Sequence, residues 1–150
     1  MRFRIRFVAI LSCIAAGVIG FLGPIQLGGP VAYVATIGVS MEPEIVAGDL
    51  VLTRESQEYD FGDTIAYPSV TLGGVTVLHR IVDETPEGFV TKGDNNSWLD
   101  PDHPTTADIY GKQWIHIHQG GVWLKRLASP AVVGGIAFFI LWWSTSVSGV

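Results

Sequence analysis

The fold is decided at Val75–Val82, where the sequence VTVLHRIV alternates with a period of two residues. Such alternation is typical of a β-strand, and it places Val75, Val77, His79 and Ile81 on one face. Other short runs rich in β-branched and aromatic residues are Asp49–Thr53, Thr64–Tyr67, Gly88–Lys92, Gln113–His118 and Val122–Leu124. Turn sequences at Gly73-Gly74, Pro86-Glu87-Gly88 and Gly120-Gly121 separate several of these runs. The sequence therefore predicts a mainly β fold, a small antiparallel domain.

An apolar segment precedes this domain. Phe7–Gly23 is nearly continuous in apolar and small side chains, at the short end of the length that crosses a hydrocarbon core of about 30 Å. Arg2, Arg4 and Arg6 come directly before it, which predicts a cytoplasmic N-terminus and a retained transmembrane helix. A cleaved signal peptide has the same signature, and Ile10–Cys13 loosely resembles a lipoprotein signal.

A second apolar segment follows the domain. Leu127–Val150 carries no charge and contains the pair Trp142-Trp143, which suits a membrane interface. We expect a second transmembrane helix, with a buried terminal helix as the alternative because Lys125 and Arg126 would lie on the outer side. The predicted units are residues 1–24 (basic tip and anchor), 25–126 (extracytoplasmic β domain) and 127–150 (C-terminal helix).

The composition limits the classes of function. Charged residues make up 15 % of the chain, against roughly 25 % in ordinary soluble domains. Residues 25–124 contain all 14 acidic side chains but only four cations, a net charge of −10. A domain this acidic repels phosphate backbones, so we expect no nucleic-acid binding. The single Cys13 and the positions of His103, His116 and His118 complete no metal motif, so we expect neither a metal nor a cofactor.

Three segments carry groups suited to nucleophilic catalysis. Ser40 follows the apolar run Val31–Val39, interpreted as a strand that breaks just after the serine because Pro43 restricts Glu42. A serine hydroxyl needs a base to become nucleophilic, and His79 is the one histidine in a predicted strand in the middle of the chain, between the serine and a cluster of acids. The loop Lys92–Asp102 supplies carboxylates that could orient this histidine. Taken singly, a strand-end serine, a core histidine and an Asx-rich turn are ordinary structural features.

Four segments follow one another along the chain: SMEP at 40–43 with Gly48-Asp49, GDTIAY at 62–67, HRIV at 79–82 and TKGDNN at 91–96. In order and spacing they closely resemble the successive boxes of type I signal peptidases, over roughly Val34 to Leu124. The bacterial type of that family has a lysine where the archaeal and endoplasmic-reticulum type has a histidine. With His79 followed by an arginine, this chain resembles the second type.

The resemblance implies a role for each matching residue. Ser40 would be the nucleophile, His79 the general base and Asp100 the orienting acid, with Asp94 and Arg80 in support. Asp94 is the alternative acid and Asp102 a third. The implied reaction is acyl transfer through an acyl-enzyme. This chain departs from the pattern at Gly38, where many relatives have a serine that serves as an oxyanion donor.

The implied activity is the removal of signal peptides from secreted preproteins. Preprotein signal peptides and membrane lipid are the implied partners, and the need for further membrane subunits is left open. The implied location is the cell membrane with the catalytic domain outside, or alternatively the lumenal face of the endoplasmic reticulum. A non-catalytic, membrane-tethered relative is the rival hypothesis. A self-cleaving repressor-type peptidase fits less well, because position 79 is not lysine and no basic DNA-binding module is present.

Overall fold

The structure, a computed structural model, describes residues 10, 12–14, 16–18 and 20–147, with side chains described as far as residue 143. Its centre is one antiparallel sheet with the strand order β1-β2-β6-β3-β4-β5. The strands are β1 Val31–Ala35, β2 Leu50–Arg54, β3 Thr64–Ser69, β4 Val75–Thr85, β5 Gly88–Lys92 and β6 Gly111–Ile117. The predicted antiparallel β domain is therefore confirmed.

Two of the predicted turns connect neighbouring strands. Gly73 and Gly74 join β3 to β4 with φ angles of 69° and 87°, a left-handed region that glycine adopts without strain. β4 ends at Thr85 and β5 begins at Gly88, so Pro86 and Glu87 form the second connection. The long strand β4 consequently pairs with β3 on one side and β5 on the other.

The prediction of a strand at Val122–Leu124, after a turn at Gly120-Gly121, is wrong. Gly120–Leu127 is a helix, here α1. A Cβ on Gly120 would lie 2.8 Å from the Leu50 side chain, so the glycine lets the first turn of α1 approach the sheet closely. A run of three apolar residues is too short for its period to distinguish a helix from a strand.

The first strand is shorter than predicted. β1 ends at Ala35, and Ser40 lies in a turn beyond it rather than at the end of a strand. The Thr36 hydroxyl donates to the carbonyl of Val46 at 2.6 Å, and the Thr36 carbonyl accepts from Gly48 N–H at 2.8 Å. Because Thr36 is held by the segment that leads into β2, the chain is tied there before it turns towards Ser40.

The core contains three apolar clusters, and one of them supports the segment that carries Ser40. This cluster joins Met41 and Ile45 to Val51 of β2, Ala66 of β3 and Leu78 of β4. Met41 and Leu78 are the chain neighbours of Ser40 and His79, and both are at most 6 % exposed. Because Met41 and Leu78 pack in the same cluster, their chain neighbours Ser40 and His79 are brought together.

Helices flank the sheet at both ends of the described chain. A 3-10 helix spans Ile25–Leu27, and an 18-residue helix, α2, spans Pro130–Val147 after α1. In the described part of the chain no single helix is both long and apolar enough to cross a membrane. α1 and residues Pro130–Trp143, bent by 52°, meet that requirement as a pair. The predicted N-terminal anchor falls partly, and Arg2, Arg4 and Arg6 wholly, outside the described residues.

Candidate active site

Ser40, His79 and Asp100 come together from three separate segments. Ser40 Oγ lies 2.9 Å from His79 Nε2, and His79 Nδ1 lies 2.6 Å from Asp100 Oδ2. His79 is in β4, whereas Asp100 is in the loop that follows β5. The three residues thus have the geometry of a Ser-His-Asp triad, although 39 positions separate the first two.

The hydrogen bonds of this group fix the tautomer of the histidine. An ionised carboxylate can only accept, so His79 Nδ1 carries the proton that is donated to Asp100. The opposite nitrogen, Nε2, is then free to accept the hydroxyl proton of Ser40. This is the protonation state that a general base requires before it activates a serine.

Asp100 is ionised although its side chain is mostly buried. Burial by itself would raise its pKa, but hydrogen bonds from His79, Thr91 and Tyr67 outweigh burial and lower it. The side chains of His79 and Asp100 are only 11 % and 10 % exposed, so little water competes for their hydrogen bond. The negative charge needed to stabilise an imidazolium is therefore present at neutral pH.

Asp94 does not contact His79. It forms a two-point ion pair with Arg80, whose Nε and Nη2 lie 2.8 and 2.7 Å from its two carboxylate oxygens. Nη2 of Arg80 also donates at 2.7 Å to Glu44, which lies in the turn segment that contains Ser40. The hydrogen bonds that Arg80 donates to Asp94 are the main reason that the pKa of Arg80 is raised. Arg80 thus links the turn of the serine to the loop that carries Asp94.

The turn at Gly93–Asn96 supports the backbone of the serine. Asn95 N–H donates to the carbonyl of Ser40 at 2.7 Å, and its side-chain amide donates to the carbonyl of Val39 at 3.1 Å. A Cβ on Gly93 would lie 2.7 Å from the Ser40 carbonyl oxygen and 2.9 Å from Ser40 Cβ. Only glycine therefore allows the loop to approach the serine this closely.

Asp102, the third candidate acid, also lies away from His79. It accepts hydrogen bonds from the hydroxyl of Ser69 and from the hydroxyl and N–H of Thr71. These bonds, with that of Ser69 the largest contribution, lower the pKa of Asp102. The carboxylate thus ties the loop after Asp100 to the start of the β3–β4 connection.

A cleft of about 940 Å³ opens at the serine. Ser40 and His79 lie in its wall, which also includes residues of β1, β3 and β4 and of the loop that carries Asp100. Most of the β1 and β4 side chains that line it are small or apolar, namely Ala32, Val34, Ala35, Val75, Val77 and Leu78, and Tyr33 and Thr76 of the same strands line it as well. An extended peptide can lie along strands of this kind and place small side chains against their apolar residues.

The two histidines near the end of β6 bind a carboxylate outside the cleft. His116 Nε2 and His118 Nδ1 lie 2.7 and 3.0 Å from the oxygens of Asp49, which is fully buried. Burial would raise the pKa of Asp49, but hydrogen bonds from the backbone N–H of Gln119, from the His116 side chain and from the backbone N–H of Val46 outweigh burial and lower it to about 2. Among the described residues, no group of three or more His, Cys, Asp or Glu side chains could hold a metal ion.

Several residues of the site had no role in the sequence prediction, namely Glu44, Tyr67, Thr91 and Asn95. Thr91 interrupts the apolar pattern of β5, and a fully buried hydroxyl requires a partner, which is the signal that could have identified it. No protein-family model matches the chain, and no match was found among curated proteins. What the site does therefore has to follow from its own geometry and chemistry.

Proposed function

We propose that the chain is a membrane-bound serine endopeptidase that removes signal peptides from secreted preproteins. The observation that carries the proposal is the hydrogen-bonded chain from Ser40 Oγ through His79 to Asp100, open to a cleft that is lined in part by small and apolar side chains. The resemblance of the four sequence segments to type I signal peptidases supplies the substrate class.

The proposed reaction proceeds in two halves. Ser40 Oγ attacks the scissile carbonyl while His79 Nε2 takes its proton, and His79 then returns this proton to the leaving amine. Water, deprotonated by the same nitrogen, then attacks the acyl-enzyme. His79 returns this proton to Ser40 Oγ as the ester bond breaks, which releases the acyl product and regenerates the free serine. Asp100 stays ionised throughout and stabilises the imidazolium that forms in each half.

The oxyanion of each half needs hydrogen-bond donors. The backbone N–H of Ser40 donates to no other group of the described chain, so it is available as the first donor. Position 38 offers no side-chain donor because it is glycine. A Cβ built on Gly38 has no neighbour within 4 Å, so a larger residue is accommodated there without steric conflict.

Gly38→Ser is expected to raise kcat by about 10-fold, because a hydroxyl two residues before the nucleophile adds an oxyanion donor. KM should stay unchanged, since the donor acts on charge that develops in the transition state. Steady-state cleavage of a preprotein measures both constants. Gly38→Ala, which adds the Cβ without the hydroxyl, is the matched control, and equal rates for the two variants would contradict the assignment.

Membrane attachment is part of the proposal. The apolar segment Phe7–Gly23 with its preceding arginines, and the bent pair of α1 and α2, are the proposed anchors. They would place the acidic domain on the extracytoplasmic face of the cell membrane. A signal peptide keeps its apolar core in the bilayer, so its cleavage site emerges where an anchored domain can reach it.

The proposal is tested with the full chain, purified in detergent, and a preprotein that carries a signal peptide. We expect one cut at the end of the signal peptide, located by the N-terminal sequence of the product. A preprotein with large side chains at the residues preceding that cut is the control, and it should stay intact. An uncut preprotein, or cuts scattered along the chain, would favour the non-catalytic alternative.

A further inference from the structure

Two buried side chains next to the triad have no part in the reaction described above. Thr91 of β5 is 0 % exposed and Tyr67 of β3 is 1 % exposed. Thr91 Oγ1 lies 2.7 Å and Tyr67 OH 3.0 Å from Asp100 Oδ2, the oxygen that also accepts from His79 Nδ1. A single carboxylate oxygen thus has three donors around it.

We propose that Thr91 and Tyr67 are positioning residues, which keep Asp100 ionised and hold its Oδ2 opposite His79 Nδ1. This inference rests on the proposed function of the triad. The two hydroxyl groups affect the reaction rate entirely through Asp100, since neither Thr91 nor Tyr67 is hydrogen-bonded to Ser40 or His79.

Thr91 holds Asp100 at two points. Besides the hydroxyl bond, its carbonyl accepts the backbone N–H of Asp100 at 2.9 Å. The loop is therefore fixed to β5 at the same residue that fixes the carboxylate. Because His79, Thr91 and Tyr67 all meet one oxygen, turning the carboxylate away from His79 disrupts all three hydrogen bonds together.

The hydroxyl group of Tyr67 is also a hydrogen-bond donor to Asp100. Burial raises the pKa of Tyr67, so the phenol keeps its proton over the whole range in which a histidine base operates. Tyr67 OH lies 2.8 Å from Thr91 Oγ1 as well as 3.0 Å from Asp100, so the two hydroxyls and the carboxylate form one connected network. Since burial alone would raise the pKa of Asp100, loss of these donors raises it.

The sheet contains a second buried threonine that provides a matched comparison. Thr53 of β2 is also 0 % exposed, but its hydroxyl has no hydrogen-bond partner among the described residues. Thr53 therefore shows that a buried threonine of this sheet can lack the kind of hydrogen-bond network that Thr91 forms with Tyr67 and Asp100. Thr53→Val and Thr91→Val make the same chemical change, and only the second removes a donor from Asp100.

The test compares Thr91→Val, Tyr67→Phe and Thr53→Val in the full-length protein. We expect Thr91→Val to lower kcat by about 10-fold, the effect of one hydrogen bond to a charged group, with little change in KM. The pKa of Asp100 should rise, because its carboxylate binds a proton more readily when a hydrogen-bond donor is lost. Tyr67→Phe should act in the same direction, and Thr53→Val should change neither kcat nor the pKa of Asp100.

A measurement without catalysis separates this inference from the proposed function. The ¹³C carboxyl resonance of Asp100 reports its ionisation directly, and its pKa should rise in Thr91→Val whether or not the chain cleaves a preprotein. Thr91→Ser, which restores a hydroxyl, should restore both kcat and the titration. If Thr91→Val lowers only the folded yield, while the titration of Asp100 stays in place, the two hydroxyls are merely structural and the inference is wrong.

Discussion

Replacing Ser40 by alanine is expected to lower kcat by roughly 10⁶-fold, to the background rate of the assay. The variant lacks the only oxygen that lies at hydrogen-bond distance from His79 Nε2 among the described residues, so His79 has no nucleophile to activate. KM should remain near that of the unchanged chain, because the other residues that line the cleft are not altered. Preprotein cleavage, followed by product quantification over hours, measures the loss.

A matched serine separates this effect from general damage to the fold. Ser97 is exposed and lies between Asp94 and Asp100 in the same loop, but it has no hydrogen bond to the triad. Ser97→Ala should therefore cleave at the unchanged rate. Cleavage that persists in Ser40→Ala would remove the serine mechanism, whatever the behaviour of the other variants.

The fold could be predicted from the sequence wherever a two-residue period lasts long enough. β4 and β5 were identified, and their bounds differ from the predicted ones only where β4 continues to Thr85. The helix α1 was missed because its start depends on close packing of Gly120 against Leu50, a contact between residues far apart in sequence. The early end of β1 at Ala35 likewise follows from hydrogen bonds of Thr36 to a distant segment.

The candidate site, too, could be predicted from the sequence only in part. Motif order was sufficient to nominate Ser40, His79 and Asp100, and the structure brings these three together. The support of Ser40 by Asn95 depends on a close contact between the two loops, which no local pattern reveals. The separation of Asp94 from His79 has a similar cause, because the two-point bond to Arg80 exists only in the folded chain.

Replacing Asp100 by asparagine is the second change with a large expected effect, a fall in kcat of about 10⁴-fold. The three groups around Oδ2, namely His79 Nδ1, Thr91 Oγ1 and Tyr67 OH, all approach as donors. If the amide nitrogen of the asparagine takes the place of Oδ2, it is itself a donor and cannot accept from these three groups. If the amide oxygen takes that place, it carries no full negative charge to stabilise the imidazolium. If the amide donates to Nδ1, the ring proton moves to Nε2, which can then no longer accept from Ser40.

Two neighbouring carboxylates make this prediction specific. Asp94→Asn weakens a partly exposed ion pair with Arg80, and Asp102→Asn changes a contact with Ser69 and Thr71, so each should lower kcat by less than about 10-fold. The same assay applied to all three variants therefore ranks the candidate acids directly. A larger loss for Asp94→Asn than for Asp100→Asn would mean that the acid of the working enzyme is Asp94. Since Arg80 holds Asp94 at two points, that result would also require the arginine to release it during the reaction.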